Sequence, residues 1–88
     1  MEGYIYLIKS VNNNKYYLGS TNRPADRVKE HNNGKNKTTK KYLPWVCLAI
    51  IKVGDIRRAR QIEYYIKRQK EKLLIENVIK SLNRFFTN

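Results

Sequence analysis

Two phenols, a guanidinium, an imidazole and one carboxylate are the side chains whose types and spacing could act together. Tyr6 closes the triplet Tyr4-Ile5-Tyr6, and Tyr17 opens Tyr17-Leu18-Gly19. If these segments pair as a hairpin, Tyr6 faces Gly19 and Ile8 faces Tyr17. The phenols then sit diagonally on one face, with room above the glycine. Tyrosine in a strand serves packing as readily as chemistry, and a one-residue bulge would exchange the faces. Arg27 and His31 are four apart, so they share one flank of a helix. They are either a solvated pair or a pair reaching into a cleft. Glu63 stands between Ala59 and Ile66 in helical spacing, on the edge of an inward stripe. A carboxylate there needs a positive partner. A lysine or arginine would serve, and so would a divalent cation; the spacing leaves both open.

For a phosphodiester substrate, hydrolysis needs an activated water, charge neutralisation on the phosphate and help for the leaving oxygen. A two-metal site needs clustered carboxylates. The chain has seven Asp and Glu in all, and several read as caps or solvated helix positions. One hydrated Mg2+ or Mn2+ on a single carboxylate is therefore the design it can support. A Cys/His metal centre is excluded, because there is one Cys and one His.

Composition narrows the partners. Nineteen Lys and Arg against seven Asp and Glu give a formal charge of +12. A small domain so basic points to a polyanion. Nucleic acid is favoured over membrane, since no amphipathic anchor and no membrane-length apolar run stands out. On charge alone, a non-catalytic ribosomal or RNA-binding protein is the favoured reading. The chain has 88 residues, 41% of them hydrophobic, which suits a single domain with a modest core. Cys47 lies in the apolar run at 45–53 and reads as a small buried hydrophobe. One cysteine without an internal partner fits a reducing cytoplasm.

The elements that must position these groups follow in order. Residues 4–9 and 16–20 read as strands, joined by a type I′ turn at Asn12-Asn13. Ile5, Leu7, Tyr16 and Leu18 share one face; Tyr4, Tyr6, Ile8, Tyr17 and Gly19 share the other. Asn22-Arg23-Pro24 opens a helix that ends near Asn32, stopped by Asn33-Gly34. Ala25 and Val28 mark its buried side. Residues 35–42, KNKTTKKY, form a basic loop. It is either a mobile connection or a phosphate clamp in which Lys35, Lys37, Lys40 and Lys41 supply charge and Thr38 a hydroxyl. Residues 46–53 are almost continuously apolar and read as the most buried strand. Asp55 caps a helix with Ile56, Ala59, Ile62 and Ile66 on one stripe. The helical spacing continues to about residue 83 as one long helix or as two meeting near residues 69–72, and two are preferred because a small domain must fold back. The domain is expected to span 1–83, with a frayed tail at 84–88.

Tyr4-Ile5-Tyr6 and Tyr17-Leu18-Gly19 resemble the paired triplets of the GIY-YIG nuclease family. Arg27 and His31 fall where that family carries its helix motif, and Glu63 where it carries its metal-binding glutamate. The likeness runs from about Tyr4 to about Gln69. It is greatest to small stand-alone members, which resemble the GIY-YIG nuclease domain found in bacterial nucleotide-excision repair. The first triplet departs from the pattern, since Gly3 lies one place early. The resemblance implies that Tyr17 is the general base, that Tyr6 bonds phosphate or water, and that Arg27 holds the phosphate. It implies that His31 assists proton transfer, that Gly19 keeps the backbone near the phosphate, and that Glu63 binds one Mg2+ or Mn2+. It also moves the Glu63 reading to the metal.

The sequence is therefore expected to give an α/β domain, a three-stranded antiparallel sheet flanked by helices. The expected activity is metal-dependent endonucleolytic cleavage of nucleic acid, with DNA favoured over RNA and little sequence specificity. A non-catalytic DNA- or RNA-binding module on the same fold is the rival.

Overall fold

The computed structural model describes residues 1–87. Its sheet is antiparallel throughout, in the order β2-β1-β3. The strands are β1 (Glu2–Ser10), β2 (Tyr16–Thr21) and β3 (Trp45–Asp55). Helix α1 (Pro24–Asn32) follows the hairpin, and α2 (Ile56–Arg68) and α3 (Ile75–Thr87) close the chain.

The hairpin has the expected register, with Tyr6 opposite Gly19 and Ile8 opposite Tyr17. Its loop is wider than a two-residue turn. Ser10 N–H donates to the Lys15 carbonyl at 2.9 Å, which leaves residues 11–14 as the connection. Both loop lengths are symmetric about the same point, so the faces are unchanged. Ile5, Leu7 and Leu18 pack with Val53, Ala59, Ile62, Ile66, Val78 and Leu82 under α2 and α3. Tyr6 and Ile8 pack with Trp45 on the other face, beside Tyr17, Val28 and Tyr42.

Sheet order overturns the expectation for the third strand. The strand covered on both faces is β1, whose Ile5, Tyr6, Leu7 and Ile8 are all buried. Strand β3 is an edge. Ala49, Ile51 and Val53 meet the core, while Val46, Leu48, Ile50 and Cys47 are exposed. A continuous apolar run normally signals two covered faces, but here it lies on the rim. Cys47 is thus not a buried hydrophobe. Ala25 of α1 is exposed as well, and the inward side of that helix is carried by Val28 and His31.

Local signals account for the helix ends. Pro24 occupies the first turn of α1, where its missing N–H costs nothing. Arg23, not Asn22, is the N-cap residue, with no side-chain cap bond. At the other end Gly34 takes φ 74°. Its N–H donates to the His31 carbonyl and the Lys35 N–H to that of Glu30, which satisfies two late carbonyls. Asp55 caps α2 by accepting from the Arg58 N–H at 2.9 Å. After α2, Lys70 adopts φ 55°, an uncommon value for a side-chain-bearing residue, and separates it from α3. Arg84 through Thr87 are helical rather than frayed, and Phe85 packs against the core. Asn88, the remainder of the expected tail, lies outside the described residues.

Candidate active site

Three rings form the floor. Tyr6 comes from β1, Tyr17 from β2 and His31 from α1. The ring centroids lie 6.3 Å apart for Tyr6–Tyr17, 5.6 Å for Tyr6–His31 and 4.9 Å for Tyr17–His31. Gly19 makes this possible. A Cβ at that position would overlap the Tyr6 phenol. Gly19 is itself buried, so it serves the site by admitting the ring rather than by offering backbone to a phosphate.

The Tyr6 hydroxyl and His31 Nε2 share a hydrogen bond of 2.8 Å, and His31 Nδ1 shares another of 2.8 Å with Thr39 Oγ1. Tyr6 is 1% exposed and His31 0%. Burial pushes the Tyr6 phenol well above its ordinary value of about 10; Tyr17 and Glu63 add to this and Arg27 opposes it. Tyr6 is thus a neutral phenol at physiological pH, unsuited to be a base. Burial also holds the His31 imidazole below its usual value, with Arg27 adding to the effect and Glu30 opposing it. His31 is a neutral, doubly bonded core histidine. The solvated reading fails for it, and with both nitrogens engaged it is placed to fix Tyr6.

Arg27 lies beside Tyr6, and its Nη1 donates to Glu30 Oε1 at 3.0 Å. Arg23, Arg27, Ser20, Thr21, Asn22, Glu30 and Arg60 line a shallow cleft between β2, α1 and α2. Three guanidiniums against one carboxylate make it positive.

Glu63 reaches the site from α2. Side chains alternate along β2, so Ser20 points to the face opposite Tyr17 and Gly19. Ser20 Oγ donates to Glu63 Oε1 at 2.5 Å. The two faces meet because β2 is a free edge, around which α2 side chains can reach. Lys67 does so: its Nζ donates to Glu63 Oε2 at 2.6 Å and lies 5.5 Å from the Tyr17 ring centroid. Of the two partners the sequence left open for Glu63, the structure contains the lysine. Among the described residues, no three His, Cys, Asp or Glu side chains gather closely enough to form a metal cluster.

The basic loop is built rather than slack. Asn36 Oδ1 accepts from the Thr38 and Thr39 N–H groups, and Trp45 Nε1 donates to the Thr39 carbonyl at 2.8 Å. Thr39 points inward to His31, while Lys35, Lys37, Thr38, Lys40 and Lys41 face solvent. The structure thus brings Tyr6, Tyr17, Arg27, His31 and Glu63 to one edge, with the loop lysines on a neighbouring rim. The sequence did not foretell the bonds of Ser20 and Lys67 to Glu63 or that of Thr39 to His31. Only Lys67 carried a signal, its position four residues after Glu63.

The tyrosines of β1 and β2, the α1 arginine and histidine and the α2 glutamate, on a three-stranded antiparallel sheet, define a small α/β domain of nuclease type. A family model described as the GIY-YIG catalytic domain matches residues 2–83, and this chain belongs to the GIY-YIG family. It is similar to the UPF0213 protein YazA of Bacillus subtilis, with 39% identity over 77 residues, 83% of this chain and 77% of that one. Similarity to the UPF0213 protein YhbQ of Salmonella typhimurium is 38% over 78 residues, with the same coverage. No solved structure gives a significant match. No helix of the described residues is long and apolar enough to cross a membrane.

Proposed function

We propose that this chain is a divalent-metal-dependent endonuclease that hydrolyses phosphodiester bonds in DNA, with low intrinsic sequence specificity. One observation carries the reading. Tyr6, Tyr17, Arg27, His31 and Glu63 come from four elements and converge on the free edge of β2. A binding module would need the surface lysines but not this convergence.

The donor set suits one ion. Glu63 is a single part-exposed carboxylate, a hydroxyl lies beside it, and a cation, the Lys67 ammonium, already rests on one of its oxygens. Glu63 would hold Mg2+ or Mn2+, with water filling the other positions. When bound, the ion supplies positive charge to the phosphate and acidifies a bound water.

The chain's own groups do the rest. Hydrolysis forms one P–O bond to water and breaks one P–O bond to the sugar. Tyr17, as the phenolate after its own proton has passed to solvent, is the general base that takes the water proton, and the leaving oxygen is protonated from solvent. Arg27 holds the phosphate and offsets the charge that grows in the transition state. Tyr6 and His31 are positioning residues: their buried pair fixes the wall on which Tyr17 and Arg27 stand. Lys35, Lys37, Thr38, Lys40 and Lys41 grip flanking phosphates, which is why sequence would matter little.

The rival, a non-catalytic binding module, finds support in the Glu63–Lys67 ion pair, since a carboxylate so paired needs no metal. Incubation with linear, nicked and branched DNA and with RNA, with Mn2+ or with chelator, separates the two. Mn2+-dependent cleavage of DNA is expected. Binding without cleavage of any substrate would leave the module.

A further inference from the structure

We infer that Lys67 is the resident counter-ion of the site: its ammonium occupies the carboxylate that a divalent ion would use, and must leave before one is held. This rests on the metal-dependent reading above. The geometry is specific. Lys67 Nζ lies 2.6 Å from Glu63 Oε2, and Ser20 Oγ occupies Oε1 at 2.5 Å. Both carboxylate oxygens are satisfied without a metal. The same ammonium lies 5.5 Å from the Tyr17 ring centroid, so the cation on the carboxylate also rests beside the ring of the proposed base.

The pair is encoded by α2 alone. Glu63 and Lys67 are four apart with the acid nearer the N-terminus, the favourable order on a helix. Lys67 also lies in the last turn, where the helix dipole favours a cation. Yet the contact is easily exchanged. The Lys67 side chain is 45% exposed and Glu63 23%, and exposed pairs of this kind are weak. Lysine is a point charge on a flexible stem and can pivot without disturbing the helix.

The exchange has a direction. In the free protein the ammonium competes with the metal for Glu63, so metal binds weakly. With a phosphate in the site, the displaced ammonium has an anion to turn to. Metal and DNA then strengthen each other, and by linkage the effect is reciprocal.

The test is a Mn2+ titration followed by paramagnetic broadening of amide resonances around Glu63. It compares the wild type with Lys67→Met, Lys67→Arg and Glu63→Gln, and circular dichroism checks each fold. Methionine keeps the stem and removes the charge. Lys67→Met should bind Mn2+ about three- to tenfold more tightly than the wild type. Lys67→Arg should stay close to the wild type, and Glu63→Gln should lose the site. Glu63-dependent binding that is equal or weaker in Lys67→Met would overturn this inference and leave the metal reading standing. No Glu63-dependent binding in any variant would overturn both.

Discussion

The Tyr6 hydroxyl lies 2.8 Å from Nε2 of His31, inside the protein. This bond joins β1 to α1, and the second bond of His31, to Thr39, joins α1 to the basic loop. One imidazole therefore ties the ring floor to the surface that carries the loop lysines.

His31 should make stability pH-dependent. Its folded pKa is lowered, so as pH falls the unfolded chain takes the proton first, near its ordinary value of about 6.5. The contribution is complete above that value and is lost as pH falls through it toward the folded pKa. The slope is at most about 1.4 kcal/mol per pH unit. Urea unfolding between about pH 8 and pH 5 should show the loss in the wild type and a flatter profile in His31→Gln. The two profiles running parallel would contradict it. The chain has one histidine, so its NMR titration can be followed directly.

Gly19→Ala should destabilise the domain by about 1–3 kcal/mol, the range for overpacking a filled site. The added methyl meets the Tyr6 ring, so the tyrosine near-ultraviolet dichroism should change as well. Unaltered stability would mean that the ring moves aside freely.

How much of this was legible in the sequence depended on distance along the chain. The pairing of Tyr6 with Gly19 was, because a symmetric hairpin preserves register whether its loop has two residues or four. Asp55 and Gly34 announced the helix ends they make, since caps are local chemistry. The rim position of β3 was not legible, because hydropathy reports apolar side chains and not which strand takes the centre. The burial of His31 was hidden for a similar reason. It depends on Tyr6 and Thr39, two separate segments, and nothing local distinguishes Thr39 from Thr38. Lys67 was visible as a spacing, but the chain offers so many cations that spacing alone could not select it.

Tyr17→Phe should lower the cleavage rate by roughly two to four orders of magnitude, the scale of a general base. Tyr17 is only partly buried, so melting temperature should change little. Retained single-turnover activity would move the base elsewhere, and not to Tyr6, whose phenol is held neutral.

Lys40→Ala with Lys41→Ala should flatten the dependence of log affinity on log salt by roughly two units on duplex DNA. All sequences should weaken alike, because charges on phosphates carry no base information. Both lysines are exposed on a loop held by Asn36 and Trp45, so the fold should be unaffected. An unchanged slope would move the footprint to the exposed face of α2, at Arg57, Arg60 and Arg68.

The proposed role of Glu63 as the metal ligand of a nuclease is tested most directly by single-turnover cleavage of DNA in Mn2+ by the wild type and Glu63→Gln. The wild type should cleave, and only with metal present. Glu63→Gln should lose at least roughly three orders of magnitude in rate, with DNA affinity and circular dichroism preserved. Cleavage by Glu63→Gln at the wild-type rate would contradict that role.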